Sequence, residues 1–122
     1  MTVLFRNILL VGFGGMIGSS LRYLVSHFIR HESYPYATFI VNIAGSLLIG
    51  LVMGIASREE GFANWRLFLA TGICGGFTTF SAFAWENMQL LNHARYGAFV
   101  LYTGTTLVLG IAAVTLGYWI TK

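Results

Sequence analysis

Aspartate is absent from this chain, proline and cysteine occur once each, and only 9% of its 122 residues are charged. Each shortage closes off a class of function. A lone cysteine, Cys74, forms no internal disulfide and excludes a paired-cysteine metal site. A water-soluble domain spends about a quarter of its residues on charge, so this chain cannot clothe a surface against water. The HExxH, GxSxG and GxxxxGK[ST] patterns are all missing, and His27, His31 and His93 fall near the ends of apolar stretches. An enzyme is therefore not expected. No basic cluster interleaved with aromatics occurs, so a nucleic-acid partner is not expected either.

What the chain has in quantity is apolar surface and glycine: 57% of residues are hydrophobic, 15 are glycine, and the mean hydropathy is +0.75. The few charges punctuate it. Uncharged runs of 15, 25, 19 and 26 residues separate Arg6 from Arg22, Glu32 from Arg58, Arg66 from Glu86 and Arg95 from Lys122. A membrane-spanning helix needs about 20 mostly apolar residues. Three runs qualify outright, and the first does so if Arg22 shares its helix, pointing inward or snorkelling. The expectation is an all-α integral membrane protein, one transmembrane domain over residues 1–122, with spans near 4–27, 35–57, 65–92 and 95–121. Tyr34, Tyr36, Trp65, Tyr118 and Trp119 suit the interfacial belts at the ends of these spans. A cleaved signal peptide fits poorly, because the apolar run continues through GGMIGSSLRY without a clear cleavage site. A multi-pass place in the inner membrane follows.

Four spans put both termini on one side, with Arg6, Arg58, Arg66 and Lys122. Arg30 and Arg95 lie on the other side, with Arg22 just inside a helix end. Lysine and arginine set orientation, and this bias leans only weakly towards cytoplasmic termini. Near-balance is compatible with one fixed orientation and with insertion both ways round.

Within the spans, Gly14 and Gly18 form a small-xxx-small pair suited to close helix packing. Arg22 lies one turn beyond them, and its costly guanidinium needs a loop, a headgroup or Glu86 as partner. Asn42 sits about two turns inside the second span. Two readings stand for it: a helix–helix hydrogen bond, or a donor lining a wet pathway. The third span carries GGFTTFSAF, residues 75–83. Its glycines lower helix propensity and its hydroxyls compete for backbone bonds, so an interruption near Gly75–Ser81 is expected. Broken backbone inside a membrane must be buried in protein or face a filled cavity. Phe77, Phe80 and Phe83 read either as packing or as ring edges along an ion path. Glu86 ends that span as an interfacial cap or an arginine partner.

Three stretches together resemble the small bacterial fluoride channels of the CrcB/Fluc family: GGMIGSSLRY, TFIVNIAGSLLIG and, most specifically, TGICGGFTTFSAFAWE. The resemblance extends over nearly the whole chain. It implies an antiparallel, dual-topology homodimer with two pores that pass fluoride passively out of the cytoplasm. It implies that Phe80, Phe83 and Asn42 line the fluoride path, with a polar track of Thr79, Ser81, Tyr102 and Thr106. It further implies a central structural sodium ion (Na+) held by backbone carbonyls at Gly75 and Thr78, with Arg22 and Glu86 in the vestibule or its support. Many relatives have Ser-Thr-Phe where this chain has Ser81-Ala82-Phe83, a departure that bears on the polar track alone.

Two rival readings use the same outline. A small proton-coupled multidrug transporter has similar length and four spans, but it wants a carboxylate in the first span, where this chain has none. A non-transporting membrane assembly subunit would use every glycine and threonine for packing.

Overall fold

A computed structural model of the chain describes residues 2–29 and 33–122. Arg30, His31 and Glu32, which the charge pattern above includes, lie outside the described residues. Two long helices come first, α1 (Thr2–Phe28) and α2 (Tyr36–Arg58). The third span is composite. A 3-10 turn (Glu60–Phe62) leads into α3 (Ala63–Arg66), a π-helical stretch (Leu67–Cys74), the single turn α4 (Gly75–Phe77) and then α5 (Phe80–Asn92). A last long helix, α6 (Tyr96–Thr121), completes the chain. Among the described residues, four helical segments are long and apolar enough to cross a membrane, the third running from Glu60 to Asn92. Pro35 stands just before α2, and its carbonyl accepts the Phe39 N–H at 3.1 Å.

Glycine sets how the helices pack. The buried residues of α1 are Gly14 and Gly18. A methyl group on Gly14 would lie 2.5 Å from the Phe68 carbonyl oxygen and 2.8 Å from the Gly72 Cα, and one on Gly76 would lie 2.6 Å from the Gly15 oxygen. Backbone therefore touches backbone where α1 crosses the third span, the close approach that small residues permit in lipid. A second seam joins α2 to α6, where a methyl on Gly117 would fall 2.5 Å from the Leu47 oxygen. Hydrogen bonds finish it: Thr121 Oγ1 donates to the Leu51 carbonyl at 2.7 Å, and Arg58 Nε donates to the Thr121 carbonyl at 2.7 Å. The outward faces stay apolar and exposed, as at Leu101, Val108 and Ile111 on α6, which suits a surrounding of lipid tails.

The interruption falls within the expected window but not on the glycines. Gly75 keeps helical angles, and the chain becomes extended at Thr78 (φ −83°, ψ 156°) and Thr79 (φ −151°, ψ 115°). Gly72 and Gly76 serve contact with α1; the threonines carry the break.

Candidate functional site

Breaking a helix strands the carbonyls of the turn before the break and the N–H groups of the turn after it. Asn42 bonds the backbone at the break, at Thr79. Its Oδ1 accepts the Thr79 N–H at 2.8 Å and its Nδ2 donates to the Thr79 carbonyl at 3.1 Å, so one side-chain amide from α2 clamps both backbone polar groups of Thr79 in the third span. The Thr79 N–H would otherwise close a helical bond on the Gly75 carbonyl, which is thereby released. Thr78 turns inward on its own helix, its N–H and Oγ1 both donating to the Cys74 carbonyl, at 3.0 and 2.9 Å. Thr79 Oγ1 caps α5 by accepting the Ala82 N–H at 3.1 Å, and it lies 3.2 Å from Ser81 Oγ.

Next to the break lies a cavity of about 320 Å³. Asn42, Gly75, Thr78, Thr79, Phe80, Phe83 and Thr106 line it, with Ser46 and Cys74. The two phenyl rings stand 5.8 Å apart at 46°. They are unequal: Phe83 is 8% exposed and Phe80 is 77% exposed. Thr106 Oγ1 is buried with no hydrogen-bond partner, a cost of about 1–3 kcal/mol that a ligand would relieve. Asn42 Nδ2 carries a second N–H beyond the one used on Thr79. The cavity thus offers uncommitted donors and ring edges, while the start of α5 adds the positive end of a helix dipole. This constellation suits a small anion.

A second cluster adjoins it. Phe83 packs on Tyr102 at 5.1 Å, and Tyr102 packs on Tyr34 at 5.6 Å. Tyr102 is wholly buried, and its hydroxyl donates to Glu86 Oε1 at 3.0 Å; Thr38 Oγ1 donates to Glu86 Oε2 at 2.8 Å. Both carboxylate oxygens are therefore held by hydroxyls, one from α2 and one from α6. Among the described residues, Glu86 is held by these two hydroxyls and forms no arginine ion pair. Arg22 does not reach Glu86; its Nε donates to the Gly76 carbonyl at 3.1 Å, another acceptor left by the break.

Of the residues singled out from sequence, Asn42, Gly75, Thr78, Thr79, Phe80, Phe83 and Thr106 share the cavity. Ser81 stands at its edge through Thr79. Tyr102 and Glu86 form the adjoining cluster, and Arg22 braces the break from α1. Thr38 was missed. Its one sequence signal was a hydroxyl four residues before Asn42, on the same helical face.

Residues 9–118 match the family described as CrcB-like protein, Camphor Resistance (CrcB). A protein of Azobacteroides pseudotrichonymphae, named Fluoride-specific ion channel FluC, is 43% identical over 121 residues, covering 96% of this chain and 97% of the relative. Proteins of the same name from Phocaeicola vulgatus and Hyphomonas neptunium are 42% and 45% identical, each covering 96% of this chain and 99% and 96% of their own lengths. A match along nearly the full length of both partners, through all four apolar helices, makes this chain a multi-pass membrane protein of the CrcB family.

Proposed function

We propose that this chain is a fluoride-selective passive channel that lets fluoride leave the cytoplasm. It is not an enzyme. The observation that carries the reading is the donor-lined cavity at the helix break, in a chain whose full-length relatives bear the name Fluoride-specific ion channel FluC. Fluoride is small and tightly hydrated, so its path must replace water with several donors while holding the ion weakly enough to release it. The spare Asn42 N–H, the Thr106 hydroxyl and the edges of Phe80 and Phe83 supply such contacts. Thr79, Ser81 and Tyr102 continue the hydroxyl track, while Arg22 and Glu86 support it from either side.

The working unit in this reading is an antiparallel, dual-topology homodimer with two pores, each lined by both subunits. Phe80 supports it, being a phenyl 77% exposed at the open side of a cavity where a second copy would close the wall. The nearly balanced arginines on the two sides support insertion in both orientations. The residues at the break also fit a structural sodium ion. The Gly75 carbonyl has lost its helical donor to Asn42, and the Thr78 hydroxyl is spent on Cys74, leaving the Thr78 carbonyl as its free oxygen. Unwound carbonyls of this kind coordinate sodium in membrane proteins. A fixed cation there would offset the repulsion an anion meets on entering a low-dielectric span.

Nothing favours a proton-coupled pump. The first span holds no carboxylate, and Glu86 is already engaged by two hydroxyls. Purified protein in liposomes tests the proposal. Fluoride efflux without a proton gradient, with little chloride flux, is expected. Proton-coupled export of organic cations, or the absence of any flux, would overturn it. Labelling of single loop cysteines from both faces of the membrane tests the antiparallel arrangement, and labelling of each loop from one face only would refute it.

A further inference from the structure

A smaller cavity, of about 160 Å³, lies between the start of α2 and the turn from α5 to α6. Ser33, Tyr34, Pro35, Glu86, Gln89 and Arg95 line it. A continuous series of contacts joins it to the cavity at the break. Phe83 lines the larger cavity, packs on Tyr102 at 5.1 Å, and Tyr102 donates to Glu86 at 3.0 Å on the wall of the smaller one. On the fluoride-channel reading, an anion that left the larger cavity past Phe83 and Tyr102 would meet a carboxylate at Glu86. Like charges repel at that range, so an open path there needs an opposing cation.

We propose that this smaller cavity is a mouth of the anion path and that Arg95 is the residue that draws the anion through it past Glu86. The inference rests on the fluoride-channel reading above. Arg95 is held in place at both ends. Its backbone N–H closes the end of α5 on the Leu90 carbonyl at 2.8 Å, and its Nη1 donates to the Ser33 carbonyl across the cavity. That second bond bridges the α5–α6 turn to the segment entering α2, fixing a positive charge over the opening. The guanidinium carries further N–H donors beyond the one used on Ser33. A charge fixed at a narrow mouth with low-dielectric walls raises the local concentration of the opposite ion. Arg95 here is a positioning residue for the approaching ion.

The test is fluoride efflux from liposomes at two ionic strengths, about 0.01 M and about 1 M, where the screening length is about 30 Å and about 3 Å. Arg95→Gln is expected to lower efflux about two- to threefold at low salt and to match the wild type at high salt. Arg95→Lys should retain the low-salt flux. Because Arg95→Gln can also disturb the turn, Arg95→Cys is measured before and after a cationic or an anionic thiol reagent, with the unsubstituted chain, whose Cys74 is buried, as the reagent control. The cationic adduct should restore flux and the anionic one should lower it further. Equal loss in Arg95→Gln and Arg95→Lys, a deficit that persists at high salt, or indifference to the sign of the adduct would overturn the proposal. Absence of fluoride flux in the wild type would instead refute the channel reading itself.

Discussion

Replacing Asn42 by aspartate separates the two tasks the side chain performs. Aspartate has nearly the same shape and keeps the oxygen that accepts the Thr79 N–H at 2.8 Å. It loses the N–H that donates to the Thr79 carbonyl at 3.1 Å and sets a carboxylate oxygen against that carbonyl instead. Leaving such a part-buried acceptor unmet costs about 1–3 kcal/mol. A second cost falls on the ion. A full negative charge about 4 Å from a passing anion, at an effective dielectric constant of about 20, is worth about 4 kcal/mol of repulsion, or about three orders of magnitude in occupancy. Asn42→Ser loses the clamp on both the N–H and the carbonyl of Thr79 but adds no charge. Both variants should therefore lose thermal stability, while the fluoride flux of Asn42→Ser falls much less than that of Asn42→Asp. The assay is efflux per folded, monodisperse protein in liposomes, alongside thermal denaturation in detergent. Asn42→Asp conducting within about threefold of the wild type would refute both the placing of Asn42 on the ion path and the electrostatic argument.

Phe83→Leu should cost the fold about 1 kcal/mol through its packing on Tyr102, whereas Phe80→Leu, at a position 77% exposed, should leave protomer stability nearly unchanged. Both should lower fluoride flux, because leucine keeps bulk but has no positive ring edge; undiminished flux in both would return the rings to packing. Gly18→Ala would place a methyl 2.8 Å from the Phe77 nitrogen and should destabilise the chain by about 1–3 kcal/mol in a detergent melt. Gly12→Ala meets nothing within 4 Å and should be neutral or stabilising by up to about 1 kcal/mol; equal losses in the two would refute the close-contact account. Ala94, at φ 55°, takes the left-handed position after α5, where the Ala94 N–H bonds the Leu91 carbonyl and the Arg95 N–H bonds the Leu90 carbonyl. Ala94→Gly should therefore raise stability by about 1 kcal/mol, read as a higher melting temperature.

The third span shows where local reading stops. GGFTTFSAF announced an interruption, because glycines and hydroxyls together weaken a helix, but propensity pointed to the glycines. Contact with α1 keeps Gly76 helical, and Asn42 takes the Thr79 N–H out of the ladder, so the break settles two residues later. Asn42 itself stood open between helix glue and ion-path donor. It is bonded across helices and still borders the cavity, since one amide has donors enough for both. The polar track was read as one line of hydroxyls. Tyr102 also bonds Glu86, in a cluster completed by Thr38 that adjoins the cavity.

The sequence by itself determined the four spans, their approximate ends and the family. Bilayer thickness dictates the length of an apolar run between charges, and that length is a property of neighbouring residues. Only the tertiary structure decided which polar groups meet. Asn42 finds Thr79 across 37 residues, Thr38 finds Glu86 across 48, and Arg22 finds the Gly76 carbonyl across 54. In a membrane a polar group must find its partner inside the protein. Which partner it finds depends on where the glycine seams let the helices touch, and no local pattern carries that information.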